Sequence, residues 1–166
     1  MANSSCIREW KNIIMSELQN DSEIVQALGL DSGEDEESLV YTRLFPFYFL
    51  PDTQEDVKTY ILVEIDIHGN RNSRNMSEYN AYAYPVITFT ILSHQWDIRM
   101  KKSGISAVRT DYIAELIDNK YNGRSGFGIG KIQLSSSTAG NLNEKYKFRQ
   151  LVFQCLDFNN GICGKF

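Results

Sequence analysis

Apolar positions follow a helical period at the start of the chain and a strand period later. Ile7, Trp10, Ile14 and Leu18 fall on one helical face, so residues 5–19, SCIREWKNIIMSELQ, are predicted to form a helix capped by Ser4 or Ser5. A second short helix, SEIVQALG, begins at Asp21 or Ser22 and stops at Gly29. Residues 43–51, RLFPFYFLP, are strongly aromatic, and Pro46 and Pro51 exclude both a helix and a regular central strand. An extended segment laid against the core is predicted there, with a partner-facing aromatic surface as the alternative.

From residue 57 the pattern alternates. Ile61, Val63, Ile65 and Ile67 share one face of a strand over 57–67, and Tyr60, Leu62, Glu64 and Asp66 share the other. Residues 86–94, VITFTILSH, give a second strand, apolar on both faces. The polar, Asn-rich residues 68–82 between them are predicted to form a long connection, and connections of that length are often functional. Residues 105–121 read as the clearest helix, with Ser106 as N-cap and Gly123 as stop. A strand entered through Gly126, Gly128 and Gly130 follows, then a flexible SSSTAGNLN link and a last strand over 144–158. The expected fold class is α+β: about four mainly antiparallel strands, an amphipathic helix packed on the sheet, and N-terminal helices. One domain covers residues 1–166, with a helical segment over 1–30 and a sheet-plus-helix core over 57–158.

Candidate chemistry is sparse. Gly126-Phe-Gly-Ile-Gly130 precedes a strand, whereas a phosphate cradle needs the amides of a helix N-terminus. His68 and His94 are the only histidines, and Cys6, Cys155 and Cys163 are too few and too widely spaced for a zinc site or a disulfide framework. Glu64 and Asp66 share a strand face, as carboxylates on solvated sheets commonly do. A small hydrolase using them would lack a nucleophile, a metal set and a phosphate loop. The expectation is no enzyme, no metal and no cofactor.

The charge is more telling. The net of −4 argues against a general nucleic-acid binder, but residues 1–57 hold 3 basic and 12 acidic side chains and the remainder 14 basic and 9 acidic. Five acids lie within 31–37, among them Glu34, Asp35, Glu36 and Glu37. Arg71, Arg74, Arg99, Lys101, Lys102 and Arg109 form a basic window. Two unlike and complementary surfaces suit a heterologous contact between copies, so these ten residues are the expected subunit or partner contacts. Charge reversal at Arg99, Lys101 and Lys102 should weaken such assembly. No apolar run approaches the length of a membrane span, and Met1-Ala-Asn-Ser-Ser-Cys6 shows no secretory signal.

Several phrases carry a resemblance: Leu44-Phe-Pro-Phe-Tyr-Phe-Leu-Pro-Asp-Thr53, Val63-Glu-Ile-Asp-Ile67, Leu92-Ser-His-Gln95, Arg109-Thr-Asp-Tyr-Ile-Ala-Glu-Leu-Ile-Asp118 and Phe127-Gly-Ile-Gly-Lys-Ile-Gln-Leu134. Over residues 40–158 the chain resembles the neck proteins of tailed bacteriophages, most of all the tail terminators. The resemblance implies a virion structural protein assembled in the host cytoplasm as a ring, usually a hexamer. Its partners would be further copies, the tail tube protein and the head-side connector, and DNA would pass through without being read. A head-side stopper or adaptor is the alternative within that class. A small DNA-binding regulator acting through the basic window is the alternative outside it.

Overall fold

In the computed structural model, which describes residues 4–30, 39–51, 56–70, 82–100, 104, 106–128 and 130–155, the helical period at the N-terminus becomes α1 (Ser4–Gln19), burying Trp10, Ile14, Met15 and Leu18. α2 (Ser22–Ala27) follows at once. Asp21 caps it, its carboxylate accepting the N–H groups of Glu23 at 3.1 Å and Ile24 at 3.3 Å. Gly29, at φ +82°, turns the chain away; a Cβ there would sit 3.1 Å from the Arg109 guanidinium.

The fold is α+β, built on a five-stranded mixed sheet. Its strands are β1 (Leu44–Phe45), β2 (Thr59–Asn70), β3 (Tyr82–His94), β4 (Ile132–Asn141) and β5 (Tyr146–Cys155), in the order β1-β2-β3-β5-β4. β1 pairs parallel with Ile61 and Leu62 of β2, and every other pairing is antiparallel. β1 is the strand that the pattern of four did not include. It is two residues long, too short to display a period.

β2 and β3 run further than the apolar pattern indicated. Their ladder continues to Asn70↔Tyr82, so part of the expected 68–82 connection is strand and the rest, 71–81, lies outside the described residues. The extension is held by backbone bonds and a stacked His68–Tyr84 pair, with ring centroids 6.0 Å apart, which need no hydrophobic alternation. Pro85 lies in β3, and the β3–β5 ladder ends beside it at Val86↔Gln154, because proline has no N–H to give.

α3 (Arg109–Tyr121) starts four residues later than expected. Its N-cap is Val108, in extended conformation and without a side-chain cap, rather than Ser106. The cause is tertiary: an Arg99↔Val108 bridge, with Met100 N–H bonded to Ala107 O and Arg109 N–H to Ile98 O, holds the segment straight. The supposed SSSTAGNLN link is largely β4. Its exposed small residues ladder with β5 across a bulge between Leu134 and Ser136, and only Leu142–Lys145 turn the corner. Asn143 Oδ1 closes that turn by accepting the N–H groups of Lys145 and Tyr146.

The helices lie on one side of the sheet, with α1 and α3 packed on it and α2 packed against both. Ile61, Val63, Ile65, Ile87, Phe89, Ile91, Leu151 and Phe153 meet Ile14, Leu18, Ile24, Ile113, Ile117 and Tyr121 there. Salt bridges tie the helices together: Lys120 to Asp21 at 2.6 Å, and Arg124, just beyond α3, to Glu17 at 2.6 Å.

Candidate docking surface

The opposite face of the sheet has no helix over it among the described residues. Period two assigns Leu62, Glu64 and Asp66 of β2, Val86, Thr88, Thr90 and Leu92 of β3, and Phe148, Gln150, Val152 and Gln154 of β5 to this face. It is mostly polar in the middle and aromatic at one end. There, a smaller buried cluster of Phe45, Tyr60, Leu62, Leu92 and Tyr146 fills the surface.

That aromatic end is a continuous run of rings. Tyr41 meets Phe47 at 6.2 Å, Phe47 meets Phe45 at 5.7 Å, and Phe45 stacks on Phe49 at 4.2 Å. Phe49 then meets Tyr60 at 5.8 Å, Tyr60 meets Tyr146 at 6.5 Å, and Tyr146 meets His94 at 5.2 Å. The Tyr146 hydroxyl donates to the carbonyl of Asp56, and burial raises its pKa above the ordinary tyrosine value. His94 is buried, and its Nδ1 accepts the N–H of Trp96 at 3.3 Å. Its Nε2 has no partner among the described residues.

The segment 43–51 is anchored at its start and exposed beyond it. Leu44 and Phe45 anchor it in the core, while Phe47, Tyr48 and Leu50 are 44%, 45% and 50% exposed. Tyr41 is 64% exposed and takes φ +71°, the one non-glycine among the described residues in the left-handed region. Its N–H is bonded to Leu44 O at 2.7 Å, in the turn that leads into β1. Trp96 adds a further ring, 76% exposed, at the turn after β3. Sequence pattern gave no warning of Tyr41 or Trp96, since exposure of a single aromatic residue leaves no period.

The expected charged contacts fare differently. Glu34, Asp35, Glu36, Glu37, Arg71, Arg74, Lys101 and Lys102 lie outside the described residues. Arg99 is exposed. Arg109 has to be corrected: it is buried, 4% exposed, and serves the fold. Its guanidinium donates to Asp97 O at 2.6 Å and Ala27 O at 2.5 Å and pairs with the Asp97 carboxylate at 3.2 Å. It thus ties the end of α2 to the 94–100 turn and the start of α3. Its charge placed it in the basic window, but a long cation with several internal acceptors can be buried at a helix start.

A groove of about 310 Å³ runs between α3 and the β4–β5 pair. Asp111, Glu115, Asp118 and Arg149 are among its lining, with Arg149 paired to Asp111 at 2.6 Å. Among the described residues no three His, Cys, Asp or Glu side chains are grouped to hold a metal ion, and no helix is long and apolar enough to cross a membrane.

Comparison with known proteins gives a family model named YomW, which matches residues 16–155. No curated protein and no solved structure matches the chain.

Proposed function

This chain belongs to the YomW family, a phage-derived, prophage-type family, and on that premise we propose that it is a structural protein of the virion. It assembles as a ring at the head–tail junction, ends the tail tube and supports head attachment. Its partners are further copies, the tail tube protein and the head-side connector, and it acts without catalysis or cofactor.

The observation that supports this reading most is the aromatic end of the uncovered face. Tyr41, Phe47, Tyr48 and Leu50 expose apolar surface beside the buried rings of Phe45 and Tyr60, and a patch of that kind marks a protein contact. Electron microscopy of lysates from a phage carrying the double variant Phe47→Ser, Tyr48→Ser tests it. Separate heads and tails, with the variant protein still soluble, are expected. A normal yield of joined particles would contradict the reading.

A further inference from the structure

The sheet keeps two stretches of backbone edge, the later part of β2 and the later part of β4, that nothing in the described chain pairs. On β2, the Ile61 N–H turns outward to Arg43 O at 2.9 Å, while Lys58 O accepts from His94 of the neighbouring strand. By period two, Val63, Ile65 and Ile67 also turn their N–H and C=O groups away from β3. β1 stops short of them, at Leu62. On β4, Leu142 N–H donates inward to Tyr146 O, so Ser137, Ala139 and Asn141 turn outward. The start of β4 differs: Ile132 N–H is taken by Arg124 O and Leu134 N–H by Asn122 Oδ1. The bulge at Leu134/Ser136 ends that cover and leaves the rest open.

Exposed edges are usually protected by charge, proline or shortness. Residues 136–141, Ser-Ser-Thr-Ala-Gly-Asn, carry neither charge nor proline, and their side chains are small enough for a second strand to approach. We propose that the open β4 edge of one copy pairs with the open β2 edge of the next, so that one sheet continues from subunit to subunit. This rests on the ring reading above and names the contact that builds the ring.

Three features select a second copy as the occupant. β2 and β5 run one way and β3 and β4 the other, so copies rotated about an axis along the strands bring β4 to β2 antiparallel and keep the alternation. The two edges are unlike, and such heterologous contacts close into rings. The charges also complement each other. β2 carries Glu64 and Asp66 with no Lys or Arg, whereas Lys131, Lys145 and Lys147 surround the charge-free β4 against Glu144 alone, Arg149 being held by Asp111. Because β1 already occupies the edge beside Ile61 and Leu62, the incoming strand is staggered toward Val63–Asn70, the offset that a closed sheet requires.

Sedimentation velocity on the wild type, Ala139→Pro and Ile67→Pro tests this. Each proline deletes one outward N–H and leaves the internal ladder its donors. The wild type is expected as a ring and each variant as a monomer. A one-to-one mixture of the variants is expected to give a dimer, since one intact β4 edge and one intact β2 edge remain. Rings from Ala139→Pro would overturn the pairing while leaving the ring reading standing. Assembly of Ile67→Pro by itself would overturn it in favour of β4 meeting β4. A wild type that stays monomeric would overturn both readings. Should a proline variant unfold, hydrogen exchange on the wild type decides. Slower exchange at Val63, Ile65, Ser137 and Ala139 on assembly supports the pairing, and unchanged exchange there contradicts it.

Discussion

The helix-covered face and the uncovered face of the sheet are carried by the same strands, yet the chain treats them differently. On the covered face every inward residue from Ile61 to Ile65 and from Ile87 to Ile91 is buried against α1, α2 or α3. On the other face, Glu64, Thr88 and Val152 are half-buried and Asp66 is exposed, Val86 is buried at one end, and the aromatic residues gather at the other end, near Tyr60 and Tyr146. Burial of apolar area drives folding, so the covered face is where stability resides. The uncovered face contributes less and keeps rings and backbone edges available to other molecules. Substitutions on the two faces should therefore fail in different assays.

The largest effect is expected at Phe89, fully buried between Tyr121 and Phe153. Phe89→Ala should cost about 3–5 kcal/mol in urea unfolding, the usual loss for a buried aromatic residue. A loss below about 1 kcal/mol would mean that the covered face is not the core. Arg109→Met comes next. It leaves Asp97 and the Ala27 carbonyl without their cation, and should cost about 3 kcal/mol, as loss of one partner of a buried pair does. An unchanged midpoint would restore Arg109 to the surface contacts.

Acid should loosen the same side by a smaller amount. The Arg124 guanidinium holds the Glu17 carboxyl below its ordinary 4.5, against the effect of burial, and the Tyr121 hydroxyl at 3.1 Å adds to this. Burial pushes Asp21 up, but Lys120 and the N–H groups of Ile24 and Glu23 outweigh it and hold the carboxyl below 3.8. The folded state thus binds these protons less readily than the unfolded chain. The stabilisation is complete above the ordinary values and is lost as pH falls through the lowered ones. The thermal midpoint should drop below about pH 4.5, and Glu17→Gln should flatten that drop. An equally steep drop in the variant would assign acid sensitivity elsewhere. The smallest stability effect is expected on the uncovered side. Tyr48→Ser should change unfolding by about 0.5 kcal/mol or less, while lowering the yield of joined particles. A large loss of stability there would erase the distinction between the faces.

The covered face was the legible one. Ile7, Trp10, Ile14 and Leu18, or Ile61, Val63 and Ile65, repeat with the period of their element because one side meets the core. A helix start at Asp21 or Ser22 and a stop at Gly29 follow from local chemistry and were equally readable; the structure assigns the cap to Asp21. What escaped was set by contacts distant in sequence. The start of α3 is delayed by a bridge to Arg99. β4 is polar because neither its edge nor most of its side chains are buried, so its strand character lies in backbone pairing with β5. Arg109 looked like surface charge because its acceptors, Ala27 and Asp97, come from two other parts of the chain. Of the acidic and basic contact residues, Arg99 is the one that stands exposed among those described; Arg99→Glu should weaken assembly at low salt and matter little at high salt.

The central question is whether the open edges of the sheet join copies of this chain. Native mass spectrometry of the purified wild type at micromolar concentration measures that directly. One dominant closed species at a fixed multiple of 19.1 kDa is expected. A single species at 19.1 kDa across the whole concentration range would contradict it.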